Sequence, residues 1–170
     1  CVCSVIDQVG LEGASLRRIA AELGCTTGLI TRYFESKDDL LLSALRVALR
    51  RLKKAVIKRR GVPGDLQGMI AAFVEALPFD EDQRLYWRVY VAYRSAIGAR
   101  AEHSVVTIQS WAQDASVALR RSVADELQLP YESPDVAWIS DALGALVDGF
   151  GIGAAFEPER YSRERVHAMV

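Results

Sequence analysis

Apolar residues recur at intervals of three and four along almost the whole chain, and nowhere do they alternate with the period of two that marks a half-buried strand. The pattern predicts an all-α protein of about nine helices. CVCSVIDQV reads as the tail of a first helix stopped at Gly10, so the chain is expected to start within that helix, and RERVHAMV is expected to end within another. Ser15 is placed as N-cap of a second helix, LRRIAAEL, which Gly24 ends, and Thr26 as cap of a third. Ser36 caps a long fourth helix over residues 37–60, with Asp38 and Asp39 in the first turn, where the helix dipole favours anions. GVPG at 61–64 is a breaker and the predicted hinge. Further helices are expected over 65–77, 81–97 and 101–127, the sixth capped by Asp80. The Ser133–Pro134 pair opens an eighth that runs to 156, and Ser162 caps a ninth.

The second and third helices are short, about eight to nine residues each, and a glycine-containing turn joins them, which is the spacing of a helix-turn-helix. Helices of that length are marginal alone and must be held by packing. Leu16, Ile19, Ala20 and Leu23 form one stripe and Ile30 with Phe34 the facing one, with Gly28 expected where the two helices approach most closely. That leaves Thr27, Leu29, Thr31, Arg32 and Tyr33 facing outward. Threonine and arginine can reach base edges in a major groove, and threonine or leucine methyls can touch thymine. Tyr33, Lys37 and the free amides at the start of the fourth helix are candidates for phosphate, and Arg17 for base or phosphate. Short helix pairs with polar outer faces also occur in ordinary bundles, so spacing alone leaves a structural reading open.

Charge changes the balance. The net charge of −1 conceals a basic residue range 1–60, with 12 Lys and Arg against 6 Asp and Glu, and an acidic range 61–170, with 9 against 16. A polyanion partner therefore fits the amino-terminal third only. Composition is that of a globular protein large enough to bury a full core. No apolar run is expected to approach the roughly 18 residues of a membrane span, and a cytoplasmic location with no membrane partner is predicted. Cys1, Cys3 and Cys25 show no CxxC spacing and no nearby histidines, so neither a disulfide framework nor a metal site is expected, and Cys3 and Cys25 are read as small buried hydrophobes.

SLRRIAAELGCTTGLITRYFESKDDLLLSAL resembles the amino-terminal domain of the TetR family of transcriptional regulators, from about Val5 to Leu45. The resemblance rests on the Ser-initiated second helix, IAAELG before the turn, TTG opening the recognition helix, the Tyr33–Phe34 pair and SKDDLL. It is closest to the branch similar to the choline-responsive betaine repressors, whose tail ALGALVDGFGIGAAFEPERYSRERV also resembles. The resemblance implies base-reading roles for Arg17, Thr27, Leu29, Thr31 and Arg32, and phosphate contacts for Thr26, Tyr33 and Lys37. Cys25 departs from the branched aliphatic usual there, and Thr31 with Arg32 from the usual aromatic or histidine. It further implies a helix-turn-helix domain over 1–45, an effector-binding and dimerisation domain over 46–170, and a homodimer through helices eight and nine. The expected function is a ligand-responsive regulator, a repressor released from double-stranded operator DNA by a small effector, with no cofactor.

In the second part, Trp87, Tyr90 and Arg94 share a helix face by three-and-four spacing, and Trp111 lies on the next helix. Aromatics with a few polar groups suit a small-molecule pocket or a cation site, although each ring alone reads as well as plain core. Gln109 and Asp148 are further polar candidates for effector binding. GFGIGAA at 149–155 matches the loose dinucleotide fingerprint but lacks a preceding strand, so close helix packing is the better reading. An enzyme finds little support: only His103 and His167 are neutral-pH bases, and HExxH, GxSxG and a phosphate loop are absent. A non-catalytic protein-interaction module is the remaining alternative.

Overall fold

The computed structural model describes residues 2–59, 66–75, 77–95 and 102–169, and every regular element among them is helical. The helices are α1 (Val2–Gly13), α2 (Leu16–Glu22), α3 (Thr27–Thr31), α4 (Lys37–Arg59), α5 (Leu66–Glu75), α6 (Glu81–Ser95), α7 (Glu102–Leu127), α8 (Pro134–Phe156) and α9 (Arg163–His167). The predicted hinge GVPG lies outside the described residues, as do the side chains of His103 and Trp111.

Local capping chemistry sets the helix starts. Ser15, Thr26 and Ser162 each accept, through the side-chain oxygen, from an amide three residues on: Arg18, Leu29 and Arg165. Ser36 accepts from the Asp39 amide at 3.0 Å, and the Asp39 carboxylate reaches back to the Glu35 amide at 3.3 Å, closing a box over the start of α4. Asp80 caps α6 through the Gln83 amide. Ser133 differs from expectation, because its side chain makes no capping bond; the preset φ of Pro134 opens α8 instead. Gly10, with φ +67°, bends α1 rather than ending it, and one further turn delivers the buried Leu11.

The reading pair is smaller than spacing predicts, with seven residues in α2 and five in α3. Ile19, Ala20 and Ile30 are buried, and Leu16 and Phe34 pack half-buried against them. Leu23, expected in the same stripe, is 41% exposed: it is the C-cap of α2, and Gly24, at φ +63°, turns the chain away at once. Gly28 corrects a second expectation. A β-carbon there would meet only the Thr26 hydroxyl, at 3.9 Å, so no close helix approach demands the glycine.

Helix α6 is the hub, packed on α1 and α4 on one side and on α8 on the other. One apolar core runs from Val5 and Ile6 of α1 through Ile19, Leu41 and Leu45 to Val89 and Tyr90 of α6, all within 1% of full burial. The amino-terminal helices are therefore joined to the bundle by shared packing. A smaller cluster, Leu119, Val123, Ala124 and Val136, seals α7 against α8.

Contrary to the sequence expectation, α8 is long and apolar enough, by length and composition, to cross a bilayer, with a mean hydropathy of 1.3 over its best window. Its two faces differ sharply. Val136, Ser140, Gly151, Ala154 and Ala155 are buried, whereas Trp138, Leu146, Ile152 and Phe156 are exposed on the opposite side, and Asp141 and Asp148 add two charges within the continuous helix. A helix packed on one side and open on the other accounts for that apolarity.

Candidate DNA interface and effector cavity

All five outward residues foreseen for the third helix lie at the surface: Thr27, Leu29, Thr31, Arg32 and Tyr33. The exposures of Leu29 and Tyr33, 47% and 71%, are high for side chains this apolar, and neither is needed by the core. Arg17 is exposed on the first turn of α2, and Thr26 is exposed while its hydroxyl caps α3. Arg32 is not within the helix but is its C-cap, and the Thr31 hydroxyl donates to the Gly28 carbonyl at 3.2 Å. Lys37 is differently placed from expectation. Its ammonium donates to the Glu12 carbonyl at 3.0 Å, near the end of α1, where the helix dipole favours a cation. At the start of α4 the Asp39 amide is taken by the Ser36 hydroxyl.

In the bundle, a cavity of about 210 Å³ opens between α6, α7 and α8. Three of the residues singled out from sequence meet in its wall: Tyr90, Arg94 and Asp148. One Arg94 Nη1 donates to the Tyr90 hydroxyl at 2.8 Å and to the Asp148 carboxylate at 2.6 Å, and the guanidinium carbon lies 5.6 Å from the Tyr90 ring centroid. Burial, then the Asp148 charge, pushes the Tyr90 phenol above its ordinary pKa; the Tyr90 hydrogen bond leads the effects that hold Arg94 charged.

Trp87 and Gln109 are not among the described residues lining this cavity. Trp87 is buried behind it, edge-on to Tyr90 with centroids 5.8 Å apart, and Gln109 is exposed. The Trp111 side chain lies outside the described residues. Sequence reading missed the residues that make the space: Ala112, Ala115 and Ser116 on α7 facing Ser140 and Gly144 on α8. Small residues at three-and-four spacing on two consecutive helices were the available signal.

The GFGIGAA segment is helical, and two of its glycines are required by close packing. A β-carbon at Gly151 would stand 2.6 Å or less from three atoms of the Trp87 ring, and one at Gly153 within 2.8 Å of the Tyr161 ring. Helix α9 has only five residues; Val166 is buried, and Arg163 and His167 both engage Glu75 of α5. The open apolar face of Trp138, Leu146, Ile152 and Phe156 lies on α8, which packs against the long α7.

Comparison with known proteins agrees with this architecture. Residues 3–44 match the family profile described as bacterial regulatory proteins, tetR family. The HTH-type transcriptional regulator PksA of Bacillus subtilis (strain 168) is 27% identical over 98% of this chain and 80% of its own length. The HTH-type transcriptional regulator BetI of Vibrio atlanticus (strain LGP32) is 25% identical over 98% and 82%. Among solved structures, a transcriptional regulator from Rhodococcus sp. Rha1 superposes with a TM-score of 0.73 at 26% identity, over 96% of this chain and 84% of that one. A regulator from Saccharomonospora viridis in complex with choline shares the fold, with a TM-score of 0.79 at 22% identity over 96% and 86%. Residues 3–44 thus carry the helix-turn-helix described for the tetR family of bacterial regulatory proteins, and the chain as a whole is similar in length and build to transcriptional regulators.

Proposed function

We propose that this protein is a homodimeric repressor that holds double-stranded operator DNA with α3 and releases it when a small organic cation enters the cavity between α6, α7 and α8. The observation that carries the DNA reading is the unburied set Thr27, Leu29, Thr31, Arg32 and Tyr33 on a helix too short to exist for packing alone. Two such helices, one from each protomer, would meet successive major grooves, with Arg17, Thr26 and Tyr33 flanking them. A regulator of this kind works beside the chromosome, in the cytoplasm, and needs no catalytic group.

Arg32→Ala is expected to cost about 1 to 3 kcal/mol of specific binding and to relax preference at one base pair. Duplexes selected from a random pool, titrated over a range of salt, measure this. An equal loss on every sequence would contradict base reading by Arg32, and no salt-dependent duplex affinity in the parent protein would contradict the whole function.

The effector class follows from charge. Among the described residues, Arg94, Asp148 and Asp141 are the charged groups of the cavity wall, a net negative set, and the Arg94 guanidinium already occupies the carboxylate and the ring that a cation would use. With side chains 47% and 34% exposed, the Arg94–Asp148 pair contributes at most about 1 kcal/mol, so a ligand can displace it cheaply. The volume suits a metabolite rather than a larger, drug-sized molecule, and the Saccharomonospora viridis neighbour holds choline. With choline as the probe in calorimetry, Asp148→Asn is expected to abolish binding and Arg94→Met to strengthen it. A cavity built for anions would give the reverse with acetate.

A further inference from the structure

The side chain of Arg88, on α6, is 19% exposed, and its guanidinium ties the start of its own helix to two others, α1 and α8. Nε and Nη2 donate to the two oxygens of Asp7, on α1, at 2.6 and 3.0 Å; Nη2 also donates to Glu81 at 2.8 Å, and Nη1 to the Ala155 carbonyl of α8 at 3.4 Å. Apolar contacts between α1 and α6 tolerate sliding, because dispersion has no preferred direction. A two-pronged guanidinium–carboxylate bond does not, since both prongs must stay aligned. Arg88 is also placed next to the chemistry. Trp87 beside it wedges against Gly151 of α8, Tyr90 two residues on walls the cavity, and Asp148 on α8 lies two turns before the Ala155 carbonyl. Any rotation of α6 or shift of α8 at the cavity therefore reaches α1 through this fork.

We infer that the Asp7–Arg88 fork is the register contact that couples the cavity to the DNA-reading head, by holding α1 to α6 and α8 in one alignment. Asp7 and Arg88 touch neither the cavity wall nor the outward face of α3, so they are positioning residues. The inference rests on the proposed DNA-binding function, because the coupling has meaning only if α3 holds duplex.

Coupling is reciprocal: duplex bound at α3 must alter the cavity helices to the same degree that a cavity ligand alters the duplex affinity. This allows a test that needs no effector. Amide hydrogen exchange of α6 and α8 is measured with and without a selected duplex, in the full chain and in Asp7→Asn, Arg88→Lys and Asp7→Glu. Asn keeps the shape of Asp without its charge, Lys keeps the charge of Arg without the fork, and Glu restores a carboxylate. The parent chain is expected to change its exchange around Asp148 on binding duplex. Asp7→Asn and Arg88→Lys should still retain duplex but lose that change, and Asp7→Glu should recover part of it. Melting curves show that each variant is folded. A variant that transmits the change as fully as the parent, or a parent that binds duplex with no change in α6 or α8, overturns the inference. A parent that binds no duplex instead refutes the DNA-binding function itself.

Discussion

Replacing Leu146 and Ile152 together by glutamate is expected to leave the chain monomeric and to weaken its hold on a two-half-site operator by about 100-fold or more. Both residues lie on the open face of α8, 56% and 44% exposed, so within one chain the change should cost little stability. Trp138, at 77%, and Phe156, at 55%, extend the same face over nearly the whole helix. An apolar stripe of that length is what an interface between copies of this chain would need. In a two-fold dimer the stripe meets its own copy, so each glutamate would stand against apolar surface or its twin charge. The DNA consequence follows from effective concentration. With the protomers joined, the second half-site is met at millimolar local concentration; with them apart, that gain disappears. Sedimentation equilibrium and operator titration measure both effects. A double variant that stays dimeric would remove α8 from the interface.

The second large effect is expected at Gly151. Gly151→Val should destabilise the fold by about 3 kcal/mol or more, lowering the melting temperature by roughly 6 to 12 °C for a chain of this size. Trp87 is only 4% exposed, and its ring stands edge-on to Tyr90, so moving it disturbs a second buried ring. Displacing it would also move a wall of the cavity, so ligand affinity should fall with stability. Gly144→Ala supplies the contrast on the same helix: a β-carbon there meets nothing within 4 Å, and the better helix former should raise stability by up to about 1 kcal/mol. Thermal melts of the two variants decide the matter. Equal behaviour would mean that Trp87 can repack.

Much of this molecule was legible in its residues because the signals were local. Ser15, Thr26, Ser36, Asp80 and Ser162 announce helix starts by chemistry that acts within three residues, and each bond forms as expected. The outward set of α3 was legible for a similar reason: once Ile30 is assigned to the core, helical geometry fixes what faces away from it. What could not be read depended on partners distant in the chain. Lys37 could be assigned a charge but not its destination on α1, Leu23 a hydrophobic character but not its loss of contact after Gly24, and Trp87 a place on the Tyr90 face but not its burial against Gly151. The cavity was hardest, because it is made by side chains that are missing. Alanine, serine and glycine on α7 and α8 leave a space that only the assembled bundle defines.

The division of labour within α3 has a wider consequence. Ile30 is the buried residue of the helix and Thr26 caps its start, while Thr27, Leu29, Thr31 and Arg32 are exposed. Mutations at Thr27, Leu29, Thr31 or Arg32 therefore cost the fold almost nothing. On the proposed function, a new target sequence could be acquired by drift at a handful of codons while the cavity helices stay unchanged.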